Sequence, residues 1–165
     1  MQIPYRKPGK FSQMKQDYHL TEGKFKELEN KLERLKKSRP EAAAEVSRLA
    51  ELGDFSENVE YQLAKGKLRG INSGILTLEH QINQAEIITP QNQLDRVELG
   101  HTVTVKVGGK TKKYLILGSS ETRPGKGVIS HNSPLGAALI GREVGESVKI
   151  KLTDKEVEYE IIKIE

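Results

Sequence analysis

The sequence predicts an α+β protein, in which an N-terminal antiparallel coiled-coil helical hairpin is followed by a small α+β domain. Three observations support this fold class. Apolar residues recur at spacings of three and four up to about residue 85, which is typical of packed helices. From residue 103 they alternate with polar residues, which is typical of strands. The 165 residues include no cysteine and no tryptophan, which excludes a disulfide framework and a zinc site with sulfur ligands.

The hairpin is predicted from two seams of apolar residues with heptad spacing. The first seam consists of Phe25, Leu28, Leu32, Leu35, Ala42, Val46 and Leu49, with Arg39 as its polar member. The second consists of Tyr61, Ala64, Leu68, Ile71, Ile75, Leu78, Ile82 and Ala85. Each stretch spans roughly 30 residues, or about 45 Å of helix. Because the lengths match, we expect the two helices to pair in one hairpin.

Local features refine this hairpin. Gly53 is expected to end the first helix and Asp54 to cap the second, which makes the connection a tight turn. Pro40 is expected to kink the first helix, with Ser38 capping the restart. Three glycines of the second helix, Gly66, Gly70 and Gly74, lie off the seam and suggest a slim outer face.

The second domain is predicted from alternating strands at 103–107, 148–152 and 157–161. Gly108 and Gly109 indicate a hairpin turn, while Ser133 and Pro134 indicate the cap and first residue of a short helix. Pro90 and a polar run mark the boundary between the domains. We therefore divide the chain into an N-terminal extension, residues 1–19, expected to be flexible, a hairpin with an acidic tip, residues 20–89, and the small domain, residues 90–165.

Charge is distributed unevenly although the net charge is only +4. Residues 41–60 contain Arg48 as their single basic residue among six acidic ones, and basic segments flank them on both sides. No apolar run is long enough to cross a membrane, so we expect a soluble cytoplasmic protein. The four histidines have no ligand spacing, so we expect them at the surface and predict no zinc site.

Asp54 and Glu57, at the predicted tip, allow two interpretations. They match a capping box, in which the first residue caps the helix and the second reaches back to its start. They also form a carboxylate pair at the far end of a long rod, where they contribute little to a core. Oxygen ligands of this kind suit Mg²⁺, which accepts one or two carboxylates beside substrate phosphates. Two ligands alone bind the ion weakly, so a second protein would have to supply the others.

The sequence resembles the Gre family of transcript cleavage factors, and its GreA type in particular, at two motifs. Residues 53–61 (GDFSENVEY) resemble the family's tip signature, and residues 128–141 (VISHNSPLGAALIG) resemble its C-terminal-domain signature. The likeness covers about residues 20–165. It implies a coiled coil inserted through the secondary channel of bacterial RNA polymerase, and an FKBP-like C-terminal domain docked at the channel rim.

The resemblance also implies roles for individual residues. Asp54 and Glu57 would help to hold the polymerase's second catalytic Mg²⁺, so that the polymerase, not this protein, cleaves the 3′ end of backtracked RNA. Three basic residues, Lys65, Lys67 and Arg69, would face that RNA, although a solvated helix face explains them equally well. Ser130, Asn132 and Pro134 match the loop that the family uses against the polymerase, although they also suit a helix N-terminus. We expect a monomer with no membrane partner.

Two alternatives stay open. An inhibitor of the same architecture would block the secondary channel of the polymerase without promoting cleavage, and the intact Asp54 and Glu57 argue against it. A folding helper would use the C-terminal domain as a prolyl isomerase. Such a domain needs an apolar pocket lined with aromatic residues, yet only Tyr114 and Tyr159 lie in that domain.

Overall fold

The computed structural model describes residues 16–52, 59–89, 93–152 and 155–165. Two long helices form a hairpin, and a five-stranded sheet with one short α-helix follows it, which confirms the predicted α+β class. In the described part of the chain, neither long helix contains a segment apolar enough to cross a membrane.

The hairpin consists of α1 (Glu22–Ala50) and α2 (Val59–Gln84). Every apolar member of the two predicted seams is buried or half-buried, which confirms the heptad assignment, whereas the polar member Arg39 is exposed. At the centre of the hairpin, Ala42 of α1 packs with Ile71 and Ile75 of α2. This apolar contact is narrow, and the remaining faces of both helices carry charged residues.

Polar contacts between the helices fix their register. Arg39, the polar member of the first seam, donates from Nε to Oδ1 of Asn72 at 2.7 Å. Nearer the base of the hairpin, Lys36 Nζ lies 2.6 Å from Glu79 Oε1. Residues that come earlier in α1 therefore pair with residues that come later in α2, which confirms the antiparallel arrangement.

The first helix continues through Pro40 without interruption. Ser38 does not cap a restart there, contrary to the sequence-based expectation. Its hydroxyl donates instead to the carbonyl of Leu35 at 3.0 Å, one turn earlier. This bond to the preceding turn is a common alternative for serine inside a helix, and it leaves no cap for a second helix to begin.

One glycine of α2 was assigned to the wrong face. A Cβ at Gly74 would lie 2.9 Å from Cδ1 of Leu35, so this glycine faces α1 and allows the helices to approach. A Cβ at Gly66 or Gly70 would meet nothing within 4 Å. The outer face therefore holds these two glycines but not the third.

The sheet of the second domain has the strand order β5-β4-β3-β7-β6. Its strands are β3 (Thr102–Val107), β4 (Lys110–Leu117), β5 (Val128–Ser130), β6 (Ser147–Leu152) and β7 (Lys155–Ile164). Neighbouring strands are antiparallel except β4 and β5, which are parallel. The short helix α3 (Pro134–Leu139) contributes Leu139 to the core, where it is fully buried with Val103, Val105, Ile116 and Ile161.

The two local motifs predicted for this domain are confirmed. Gly108 and Gly109 join β3 to β4 with φ angles of 53° and 76°, the left-handed conformation that such tight hairpin turns require. Ser133 caps α3, since its hydroxyl accepts a hydrogen bond from the backbone N–H of Gly136 at 3.0 Å. Pro134 follows as the first helical residue.

A two-stranded parallel sheet closes the base of the hairpin. Strand β1 (His19–Leu20) precedes α1, strand β2 (Glu86–Ile87) follows α2, and the two strands pair in register. Leu20 is buried there, and its carbonyl accepts from the N–H of Ile88 at 2.8 Å. Residues 17–19, which we assigned to the flexible extension, are therefore part of the ordered base, while residues 1–15 lie outside the described residues.

Candidate functional site

In the sequence, the predicted carboxylate pair lies between α1 and α2. Asp54 and Glu57 lie outside the described residues, as does the whole segment 53–58. The described residues on either side, Leu52 and Val59, belong to the far end of the rod and are 68% and 70% exposed. The sequence therefore attaches the carboxylates to the end of the hairpin that lies farthest from its base.

The basic residues Lys65, Lys67 and Arg69 are all exposed near the start of α2, but they do not form one patch. Residues four apart differ by about 40° around a helix, whereas residues two apart differ by about 200°. Lys65 and Arg69 therefore share a face, and Lys65 Nζ lies 5.3 Å from the centre of the Tyr61 ring. Lys67 lies on the other side, where it lines a groove with Glu45 of α1.

Ser130 is the last residue of β5, Asn132 lies in the loop that follows, and Pro134 is the first residue of α3. Ser130 is buried, and its Oγ accepts from the N–H of Asn132 at 3.0 Å and contacts Ser119 Oγ at 2.9 Å. Asn132 and Pro134 are exposed. Ser130 therefore holds the loop in shape, and the exposed Asn132 side chain donates from Nδ2 to Asp17 Oδ2 at 3.4 Å and to Ser119 Oγ at 3.5 Å.

A polar cluster that the sequence did not reveal joins the hairpin base to the second domain. Its centre is Asp17, whose side chain is only 4% exposed. Asp17 Oδ2 accepts from Ser119 N–H at 2.7 Å and from Ser119 Oγ at 2.8 Å. Asp17 Oδ1 accepts from the N–H of His19 at 3.2 Å and lies 2.8 Å from His19 Nδ1. One carboxylate thus links the segment before α1 to the turn after β4.

Burial and hydrogen bonding act on the Asp17 carboxyl in opposite directions. Burial alone would raise its pKa, because the charged form loses contact with water. The hydrogen bonds from Ser119 and His19 favour the charged form and outweigh burial, so they lower the pKa to about 2. Asp17 is therefore a carboxylate at neutral pH.

Two histidines complete the polar cluster, which corrects the expectation that all four lie separately at the surface. The rings of His19 and His131 are half-buried and meet edge to face with their centres 5.2 Å apart. His131 Nδ1 lies 3.5 Å from Asp17 Oδ2. His101 is also not at the surface, since it is 2% exposed and its Nδ1 accepts from the N–H of Glu98. Among the four, His80 is exposed as expected.

A second polar contact between the hairpin base and the second domain joins Thr21 to Glu121. The N–H and the hydroxyl of Thr21 donate to the two carboxylate oxygens of Glu121, at 2.7 and 2.6 Å. Thr21 is the N-cap of α1, and its hydroxyl also accepts from Lys24 N–H. The second domain therefore binds the N-cap residue of α1 directly. Gly118 also packs against the segment before α1, since a Cβ at this position would clash with the carbonyl of His19.

Comparison with known proteins assigns the two domains. Residues 18–87 match the family model described as transcription elongation factor, N-terminal. Residues 91–165 match the model described as transcription elongation factor, GreA/GreB, C-term. These two ranges coincide with the hairpin and the sheet domain described above.

Curated relatives are similar along almost the whole chain. Transcription elongation factor GreA of Nautilia profundicola is 41% identical over 149 residues, which cover 88% of this chain and 92% of that one. GreA of Nitratiruptor is 33% identical and covers 92% and 94%. GreA of Bacillus cereus is 37% identical and covers 89% and 96%.

Solved structures that resemble this chain are more distant. The GreA factor homolog Gfh1 of Thermus thermophilus is 24% identical, with a TM-score of 0.41 over 89% of this chain and 97% of that one. A GreA/GreB elongation factor from Nitrosomonas europaea is 18% identical, with a TM-score of 0.40 over 73% and 93%. On the strength of the family models and the curated relatives, the chain belongs to the GreA/GreB family of transcription elongation factors.

Proposed function

We propose that this protein stimulates bacterial RNA polymerase to cleave its own backtracked transcript, and that the hairpin acts as a probe inserted into the secondary channel. The observation that carries the proposal is the shape of the hairpin. Helix α1 has 29 residues and is therefore about 43 Å long. Its apolar residues are used within the hairpin, and its outer faces are charged, as suits a rod that enters a polar channel.

Asp54 and Glu57 at the tip are the proposed functional carboxylates. Their donor set consists of oxygen atoms only, which fits Mg²⁺ better than a softer metal ion. A Mg²⁺ ion held jointly with the polymerase would activate water for attack on the RNA phosphate. In this proposal the two residues supply charge and oxygen ligands, and the polymerase supplies the remaining ligands and the catalytic site. The protein itself is then not an enzyme.

Lys65 and Arg69 are proposed to bind the phosphates of the extruded RNA 3′ end. They share one face of α2, and Lys65 lies about 9 Å along the helix from Val59, at 1.5 Å per residue. Lys67 instead faces Glu45 on the acidic side of α1. The pKa of Glu45 is lowered mainly by its hydrogen bond with Arg48 and also by the charge of Lys67. We therefore assign RNA contact to Lys65 and Arg69 and not to Lys67.

The exposed loop after β5 is the proposed contact with the polymerase rim. Asn132 in the loop and Pro134 at the start of α3 are exposed, and Ser130 holds the loop from beneath. A rigid loop of this kind loses little conformational entropy when it binds a partner. This supports docking through the second domain, with the hairpin free to reach inward.

Neutral substitutions at the tip test the proposal. Asp54→Asn keeps the ability to cap a helix, and Glu57→Gln keeps the capping-box geometry. Because an amide supplies no charge to hold Mg²⁺, we expect each variant to lose about a hundredfold or more in stimulated cleavage of a backtracked complex. Competition with the unaltered protein for polymerase should be unchanged.

The outcome also separates the proposed function from its rivals. Normal cleavage by the double variant at limiting Mg²⁺ would return the two residues to a capping role. If the unaltered protein itself binds polymerase and suppresses transcription without stimulating cleavage, it is a secondary-channel inhibitor. The control variant is Glu51→Gln, which removes a carboxylate from the exposed end of α1 outside the tip motif.

A further inference from the structure

The polar cluster at the hairpin base has the composition of a metal site. One ligand atom from each of Asp17, His19 and His131 can be chosen so that the three atoms lie within 4.8 Å of one another. The ligand atoms of a tetrahedral site lie about 3.3 Å apart when each is about 2.0 Å from the ion. Each imidazole lies at a comparable distance from one oxygen of the Asp17 carboxylate, with His19 Nδ1 at 2.8 Å from Oδ1 and His131 Nδ1 at 3.5 Å from Oδ2.

We propose that Asp17, His19 and His131 bind a divalent transition-metal ion, with Zn²⁺ as the best match. Two imidazole nitrogens and one carboxylate oxygen suit zinc and its neighbours in the transition series, whereas Mg²⁺ prefers oxygen alone. Three protein ligands leave one position of a tetrahedral ion for water. The site is therefore distinct from the Mg²⁺ proposed at the tip, both in chemistry and in place.

The groups around the three ligands support this assignment. Histidines that bind metals usually donate their second ring nitrogen to a carboxylate or carbonyl, which fixes the ring. His19 meets this condition, since its Nε2 lies 3.2 Å from Glu86 Oε2 while its Nδ1 faces Asp17. Ser119 holds Asp17 Oδ2 with two hydrogen bonds, and the backbone N–H of His19 holds Oδ1. A metal ion bound at Oδ1 would replace its contact with His19 Nδ1.

The site is accessible to an ion. Asp17 lines an open cleft of about 850 Å³ together with His80 and Asn132, and this cleft gives metal and water a path to the Asp17 carboxylate. Residues 1–15, which precede the site in the chain, contain no histidine, cysteine, aspartate or glutamate. They offer no fourth side chain of the types that commonly bind zinc.

Metal binding would join the two domains. Asp17 and His19 precede the hairpin, whereas His131 follows β5 of the second domain, more than one hundred residues later in the chain. An ion bound to all three would connect these elements by coordinate bonds in addition to the existing hydrogen bonds. The expected consequence is a higher melting temperature of the full-length protein in the presence of Zn²⁺, because a ligand that binds the folded state stabilises it.

Titration of the full-length protein with Zn²⁺ tests the proposal. We expect one ion per chain, and a loss of at least about tenfold in affinity in His131→Ala, as removal of even an outer partner of a metal ligand has this effect. His80→Ala is the matched control, since His80 lies in the same cleft but is not a ligand. The titrations are made in the Asp54→Asn, Glu57→Gln background, which keeps the tip carboxylates from contributing.

If His131→Ala does not fold, a second measurement tests the proposal on protein in which Asp17, His19 and His131 are all intact. In NMR spectra, Zn²⁺ should shift the imidazole proton resonances of His19 and His131 and leave those of His80 and His101 in place. Equal Zn²⁺ affinity in His131→Ala and the control, or unshifted His19 and His131 resonances at saturation, would overturn the proposal. Neither result would bear on cleavage stimulation, which is measured separately with Mg²⁺.

Discussion

Asp17→Asn removes the charge at the centre of the hairpin base while preserving the size of the side chain. In the native protein this carboxylate accepts two hydrogen bonds from Ser119 and one from the backbone of His19. The substituted amide cannot accept at both ends, so one set of donors loses its acceptor. We expect the variant to fold but to be less stable than the native protein at neutral pH.

The magnitude follows from the pKa of Asp17. Its value falls from an ordinary 3.8 to about 2 in the folded protein, and each unit corresponds to 1.36 kcal/mol, so the ionised form contributes about 2 kcal/mol. Because the folded-state pKa lies below the unfolded one, this contribution is fully present above about pH 5 and disappears as the pH falls towards 2. The native protein should therefore lose this stability in acid, and Asp17→Asn should not.

Urea denaturation followed by circular dichroism at pH 7, 5 and 3 measures the effect, with a chelator present so that metal binding does not contribute. The difference between native protein and variant should be about 2 kcal/mol at pH 7 and should shrink steadily below pH 4. Asp95→Asn, at an exposed position, serves as the control. A difference that stays constant from pH 7 to pH 3 would refute the assignment of the stabilisation to the Asp17 charge.

Two further predictions concern α2. The double substitution Lys65→Ala, Arg69→Ala should lower the slope of log affinity against log salt by about 1.4 for a backtracked complex, since two phosphate contacts are lost. Lys67→Ala should leave the slope unchanged, and equal effects would contradict the division into two faces. Gly70→Ala should raise the free energy of unfolding by about 1 kcal/mol in urea denaturation, because it adds helix propensity in open space. Gly74→Ala should gain less, because its Cβ meets a side chain of α1 at 2.9 Å, and an equal gain would contradict this packing.

Local patterns in the sequence were sufficient for most of the fold. The heptad seams predicted both helices because burial in a hairpin repeats every three or four residues. The alternation in β3 and the glycine pair after it predicted a strand and a turn for the same reason, since both depend on neighbouring residues. The cap at Ser133 was likewise found from adjacent positions.

The polar cluster was not found because it depends on residues far apart in the chain. Asp17 and Ser119 are separated by 102 positions, and no periodicity connects them. The spacing of Asp17 and His19 is a weak local signal of a ligand pair, and it indicates a cluster only once the fold places His131 beside them. The prediction for Gly74 was wrong for the same reason, because its contact is with Leu35 of the other helix. The prediction for Ser38 was wrong because two local arrangements were possible, and its hydroxyl bonds to the carbonyl of Leu35 one turn earlier.

The bidentate contact between Thr21 and Glu121 lies at the base of the hairpin, where a small rotation produces a large displacement of the far end. A rotation of about 5° at the foot of a helix about 43 Å long moves its far end by about 4 Å. A shift of 1 Å is already enough to disturb the alignment of reacting groups. If the tip acts as proposed, its position therefore depends in part on the two hydrogen bonds of 2.6 and 2.7 Å between Thr21 and Glu121, together with those from Ser119 to Asp17.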